Sequence, residues 1–163
     1  IAQWALGFWM EGVPKEPPGV RAGWFNLHKS TGLVIAIIII FRIVWRLRHA
    51  PPEATKLLSP VLVIVAKLNH RILYFCMVLM PLSGFLGSSF TAYPIKFFGY
   101  PLPRLWDASQ DFKEVFGMIH TVTAYLMASL VFFHVLAVFF HHIRGDKILL
   151  RMFYSHSSEV NNE

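Results

Sequence analysis

Apolar residues in this chain collect in long runs, and polar ones collect at their ends. The run Leu33–Leu47 is almost unbroken, Val61–Phe85 is interrupted only near one end, and Val115–Phe140 contains no Asp, Glu, Lys or Arg. Each approaches or exceeds the ~20 residues that cross ~30 Å of hydrocarbon at 1.5 Å per residue. The pattern predicts three complete transmembrane helices, at about 26–48, 60–88 and 114–142. The opening IAQWALGFWM is apolar from its first residue and breaks into EGVPKEPPGVRAG, without the charged n-region and cleavage site of a signal peptide. It reads as the last turns of a partial helix over about 1–12 whose beginning is absent from this sequence. The expected fold is therefore all-α: an integral membrane four-helix bundle, one transmembrane domain over 1–163, with its first helix largely missing.

Punctuation residues set the boundaries. Helix two is expected to begin after the Gly/Pro-rich connector, at NLHKSTG, and to stop at RLRHAPPE, because Pro51 and Pro52 bar continuation. Ser59 before Pro60 is a cap followed by a proline at the first helical position. Pro81 should kink helix three, with Ser83 and Gly84 accommodating the freed backbone groups. The segment 90–113 is dense in aromatic residues and proline and is expected to fold as a short outer cover; residues 155–163 read as a disordered tail.

Composition agrees with the bilayer as solvent: of 163 residues 55% are hydrophobic and 15% aromatic, with a mean hydropathy of +0.51. The net charge of +6 does not point to nucleic acid, since Lys and Arg sit at helix ends and in short loops, where membrane lipid headgroups explain them. Nine of the fifteen (Arg42, Arg46, Arg48, Lys56, Lys67, Arg71, Arg144, Lys147, Arg151) fall on the side of the 48–60 loop and the C-terminus. The positive-inside rule then makes that side cytoplasmic, in a multi-pass membrane protein. The other six (Lys15, Arg21, Lys29, Lys96, Arg104, Lys113) fall opposite. The single Cys76 has no disulfide partner and no CxxCH around it, so any haem is not held through thioethers.

The informative polar residues are histidines. In HTVTAYLMASLVFFH, His120 and His134 stand 14 residues apart, about 3.9 turns, and so face nearly the same way roughly 21 Å apart. An imidazole at membrane depth is costly unless it is paired or faces the bundle interior. His28, one turn inside the outer end of helix two, matches His120 in depth, and bis-imidazole ligation of a haem iron would use both. Small residues at Gly32, Ala124 and Ala128 would leave room for a porphyrin; taken alone, tight helix packing explains them better. For His134 there are two candidate partners, His70 on helix three and a histidine on the absent part of helix one. Arg42, 14 residues after His28, is placed either to pair a haem propionate or to snorkel to headgroups. His141 and His142 read as interfacial, and His49 and His156 carry no assignment. The spacing of a structural zinc site or of HExxH is missing, as are the acids of a hydrolase.

These pieces together resemble the bacterial cytochrome b561 family, dihaem membrane cytochromes that include the superoxide-oxidising quinone reductase, and the wider group of haem b subunits of formate dehydrogenases and nickel-iron hydrogenases. The resemblance rests on LGFWM, NLHKSTGL, FRIVWRLRHAPP, NHRILYFCMVLMPLSGFLGSS, and H-x13-H followed by HH and LLRMF. It implies two non-covalent haems b, an outer one on His28 and His120 and an inner one on His134, whose second ligand in the family is an early helix-one histidine not present here. It further implies that Asn69, His70 and Arg71 are quinone-site residues rather than ligands, with ubiquinone or another quinone as acceptor.

The expected function is transmembrane electron transfer from a periplasmic donor, of which superoxide is one candidate, to the quinone pool. The six outer cations are placed either to steer such an anion or to anchor headgroups. The alternative is a haem b anchor and electron conduit of a larger respiratory complex, docking a periplasmic redox protein or dehydrogenase subunit through the 90–113 cover. A haem-free proton or metal transporter using the histidines as a relay is a third.

Overall fold

The computed structural model describes residues 1–17, 19–49 and 60–143, without the side chains of Pro60, His141 and His142. The helices are α1 (Ala2–Glu11), α2 (Val20–Arg48), α3 (Pro60–Ser89) and α4 (Gln110–Ile143). Between α3 and α4 lies a two-stranded antiparallel hairpin, β1 (Lys96–Phe97) with β2 (Tyr100–Pro101), in the register Lys96 to Pro101 and Phe97 to Tyr100. The chain divides into two units, Ile1–Met127 and the residues from Ala128 onward. The first holds α1, α2, α3, the hairpin and the opening half of α4; the described part of the second is the remainder of that helix.

Burial in this protein is inverted relative to a soluble globule. The largest fully buried side chains are Cys76, Ser30 and Ser83, while Phe41, Trp45, Phe75, Phe132 and Phe133 are exposed. Lipid is as apolar as leucine, so burying leucine gains little there; small residues that let helices approach, and hydroxyls bonded within the bundle, take the interior instead. Three of the helices are long and apolar enough to cross a membrane: Val20–Arg48, Val61–Ser89 and Gln110–Phe140.

Two boundaries differ from the sequence reading. Helix α2 begins at Val20, six residues before the expected start at 26. Gly19, with φ 94° in the left-handed region, turns the chain into the helix, and its carbonyl already accepts the Gly23 N–H at 2.9 Å. Arg21 steadies the same turn, donating to the Val13 carbonyl at 3.3 Å and lying over the Phe25 ring. Gly23 therefore lies inside a helix and not in a linker, and His28 sits some two turns inside α2 instead of one. Helix α4 likewise begins at Gln110, where the Ser109 carbonyl accepts the Lys113 N–H at 3.1 Å. Helix α3 starts at Pro60 as expected and runs through Pro81 to Ser89. Ser83, 1% exposed, turns its hydroxyl back to the Leu79 carbonyl at 2.7 Å.

The segment 90–113, expected as an outer cover, contains the hairpin and the first turn of α4, neither of which the apolar pattern marked. Phe98 at φ 46° and Gly99 at φ 97° supply the two positive dihedrals of a tight hairpin turn. Ser30 fastens it to α2: the fully buried hydroxyl accepts the Phe98 N–H at 2.8 Å and lies 3.1 Å from the Lys96 carbonyl. Beside the hairpin, a cleft of about 270 Å³ is lined by Phe85, Ser88, Tyr93, Ile95 and Arg104 among others. The proposed disordered tail and most of the 48–60 loop lie outside the described residues.

Candidate functional site

The site is built where the four helices of the first unit bring two imidazoles together. His28 comes from α2 and His120 from α4, and their ring centroids stand 6.3 Å apart with the planes at 87°. Both residues are half-buried, on helices that otherwise present apolar side chains outward. Depth-matching of these two histidines was the central expectation from the sequence, and the structure brings them together.

Glycine supports each ring. A Cβ on Gly84 of α3 would lie 2.8 Å from Cε1 and 2.9 Å from Nδ1 of His120, closer than real Cβ contacts come. On α1, a Cβ on Gly7 would lie 3.2 Å from Cε1 of His28. Each imidazole thus occupies the notch left by an absent methyl group on a neighbouring helix. Gly32, for which the sequence offered helix packing or room for a porphyrin, has Gln3 beside it, at 3.4 Å from its would-be Cβ. Its small size serves the approach of α1 to α2.

Hydrogen bonds fix the site's frame. His120 Nδ1 is 2.9 Å from the Met80 carbonyl, and a carbonyl only accepts, so Nδ1 carries the proton and Nε2 holds the lone pair. Ser83 Oγ stands 3.4 Å from the same nitrogen. On the α1 side, the Gln3 carboxamide donates to the His28 carbonyl at 2.7 Å, and Thr31 Oγ1 lies 2.7 Å from Gln3 Oε1. Aromatic contacts back these bonds: Trp9 meets Trp24 edge-on at 4.7 Å, and Phe8 meets Tyr125 at 5.2 Å, tying α1 to α2 and α4.

The donor chemistry fits a haem iron. Nδ1 of His28 is buried and has no hydrogen-bond partner, an orphan that a folded protein rarely tolerates without a use for the ring. His120 shows the arrangement usual for a metal-binding histidine, with the other ring N–H donated to a backbone carbonyl. Among the described residues no three His, Cys, Asp or Glu side chains converge, so the two imidazoles have no third such side chain beside them.

The remaining candidates lie elsewhere. Arg42 is exposed on α2, some 21 Å along the helix from His28. On α3, Asn69 is half-buried and His70 and Arg71 are exposed, about four turns before Gly84. His134 is half-buried on α4 within the second unit. Two contributors went unrecognised in the sequence. The notch at Gly7 sits within the quoted LGFWM and is marked only by a glycine in an apolar helix. The Met80 carbonyl has no letter of its own, and only its place four residues before Gly84 hints at it.

Comparison with known proteins agrees with this geometry. A family model described as prokaryotic cytochrome b561 matches residues 1–155. Cytochrome b561 homolog 2 of Escherichia coli K12 is 30% identical over 162 aligned residues, covering 95% of this chain and 83% of the relative. "Probable superoxide oxidase CybB" of Yersinia pestis is 29% identical over 136 residues, covering 79% of this chain and 74% of the relative. Cytochrome b561 homolog 1 of Escherichia coli K12 is 25% identical over 142 residues, covering 80% and 81% respectively. With two helix-borne imidazoles meeting in a lipid-facing all-α bundle, the chain belongs to the prokaryotic cytochrome b561 family of haem-b membrane electron carriers.

Proposed function

We propose that His28 and His120 would hold one haem b and His134 a second, in a protein that passes single electrons from a periplasmic donor to membrane quinone. The observation that carries the reading is the meeting of two imidazoles from α2 and α4 at 6.3 Å, each in its own glycine notch. Bound haem supplies the one-electron redox chemistry. The chain's own residues bind and orient it: the Met80 carbonyl holds the His120 ring by its Nδ1 proton, and Gln3 holds the backbone that carries His28. The apolar helices around the pair keep water from the ligand nitrogens.

The hairpin end is read as periplasmic, and the end bearing Arg42, Arg46 and Arg48 as cytoplasmic, by the positive-inside rule in the inner membrane. Arg42 pairs a haem propionate there, and Asn69, His70 and Arg71 form the quinone-side surface. Superoxide is the donor favoured by the relation to a chain named as a superoxide oxidase. The outer cations Lys15, Arg21, Lys29, Lys96, Arg104 and Lys113 would speed its capture. The same relation favours this reading over a haem b subunit docked to a dehydrogenase.

The test is a reduced-minus-oxidised spectrum of the purified full-length protein. A low-spin b-type α-band is expected, and His120→Ala should remove the share of one haem. Retention of the whole band in that variant overturns the ligand pairing. Superoxide-dependent quinone reduction by the protein alone supports the enzyme reading, and its absence in a haem-loaded preparation returns the conduit reading.

A further inference from the structure

The two imidazoles of the site are supported unequally. His28 Nδ1 has no hydrogen-bond partner, whereas His120 Nδ1 faces two oxygens of α3, the Met80 carbonyl at 2.9 Å and Ser83 Oγ at 3.4 Å. The Ser83 hydroxyl has two carbonyls of its own helix in reach, Leu79 at 2.7 Å and Met80 at 3.1 Å; donating its one proton to either leaves an oxygen lone pair for the His120 N–H. That N–H is therefore shared between a short, dominant acceptor and a longer, secondary one. Gly84, the next residue, lets the ring sit this close, because a Cβ there would come within 2.8 Å of it. Helix α3 contributes no imidazole to the pair, yet one turn of it sets both the position and the hydrogen bonding of His120.

Acceptors on the far nitrogen matter to a metal ligand. Drawing the Nδ1 proton outward places negative charge on the opposite nitrogen, makes it a stronger donor and favours the more oxidised metal. We propose that Ser83 is a positioning residue that, through His120 Nδ1, lowers the midpoint potential of the haem held by His28 and His120. The proposal rests on the ligand reading above. The ordinary role of a serine beside an intrahelical proline, bonding back to its own helix, would leave that potential where it is.

The experiment is a potentiometric titration of the α-band in the full-length, haem-loaded protein, for the parent chain, Ser83→Ala, Ser83→Thr and His120→Ala, with the g-values of the ferric low-spin signal recorded alongside. Ser83→Ala is expected to keep the band's amplitude, move the midpoint of the His120-dependent component upward and shift its g-values. Ser83→Thr, which keeps the hydroxyl, is expected to return both toward the parent. Should Ser83→Ala lose haem, Ser83→Cys, of similar size and poorer acceptor strength, carries the same upward prediction. Midpoint and g-values unmoved in a haem-loaded Ser83→Ala or Ser83→Cys overturn the proposal, provided His120→Ala removes its share of the band. If His120→Ala removes none, the ligand reading has failed and the tuning role fails with it.

Discussion

A missing methyl group is the most informative detail at the level of single residues. The Cβ of an alanine at position 84 would stand 2.8 Å from the His120 ring, which the Met80 carbonyl holds in place, whereas an alanine at position 7 would stand 3.2 Å from His28. Overpacking of this kind costs about 1–3 kcal/mol where neighbours cannot yield. Gly84→Ala is therefore expected to lower the haem content of the purified protein several-fold, and Gly7→Ala to lower it less, with helicity by circular dichroism unchanged in both. Equal haem content in the two variants would show that the notches do not grade the site. The two histidines were legible in the sequence because a titratable ring is conspicuous among Val, Leu and Phe at membrane depth. Their supports were less so. Gly84 was noticed as an accommodation to Pro81 and not as the seat of His120, since which neighbour fills a glycine's notch depends on how helices cross. Gly32 shows the converse: its place one turn from His28 suggested a cofactor, and the structure puts Gln3 beside it.

Among the elements, the long helices were foreseen from apolar run length, and the starts of α2 and α4 were not. A glycine in a helix interior costs roughly 1 kcal/mol relative to alanine, so the Gly23 region read as linker. The contacts of Arg21 with Val13 and Phe25, and of Trp24 with Trp9, outweigh that cost and carry α2 back to Val20. The hairpin escaped notice because strands of two residues have no periodicity to detect. It is held from outside: Ser30 bonds the Phe98 N–H and faces the Lys96 carbonyl two residues from His28. Replacing that hydroxyl removes the acceptor of the part-buried Phe98 N–H, a net loss of about 0.5–1.5 kcal/mol. Ser30→Val should accordingly accelerate protease cleavage within residues 92–105 in detergent while leaving α2 intact, and an unchanged cleavage rate would mean that the strand pairing holds the hairpin by itself.

For the molecule as a whole, orientation follows from where its cations fall. If Arg42, Arg46 and Arg48 mark the cytoplasmic end of α2, a fluorescent protein fused after Glu163 should fold and fluoresce, and alkaline phosphatase at the same place should stay inactive. Reversed activities would invert the assignment and put the His28–His120 pair on the inner side. The all-α membrane class was readable from the sequence alone, since it depends only on how long a segment remains apolar. What the interior is made of was not, because in lipid the buried set is chosen by size and hydroxyl rather than by hydrophobicity: Ser30, Ser83 and Cys76 lie inside, and Phe132, Phe133 and Trp45 lie outside. That inversion governs how the protein can be handled. In water its phenylalanine ridges would seek one another and precipitate the chain with its serine-lined interior still intact, so detergent chain length, and not ionic strength, should be the variable that decides whether a preparation stays monodisperse.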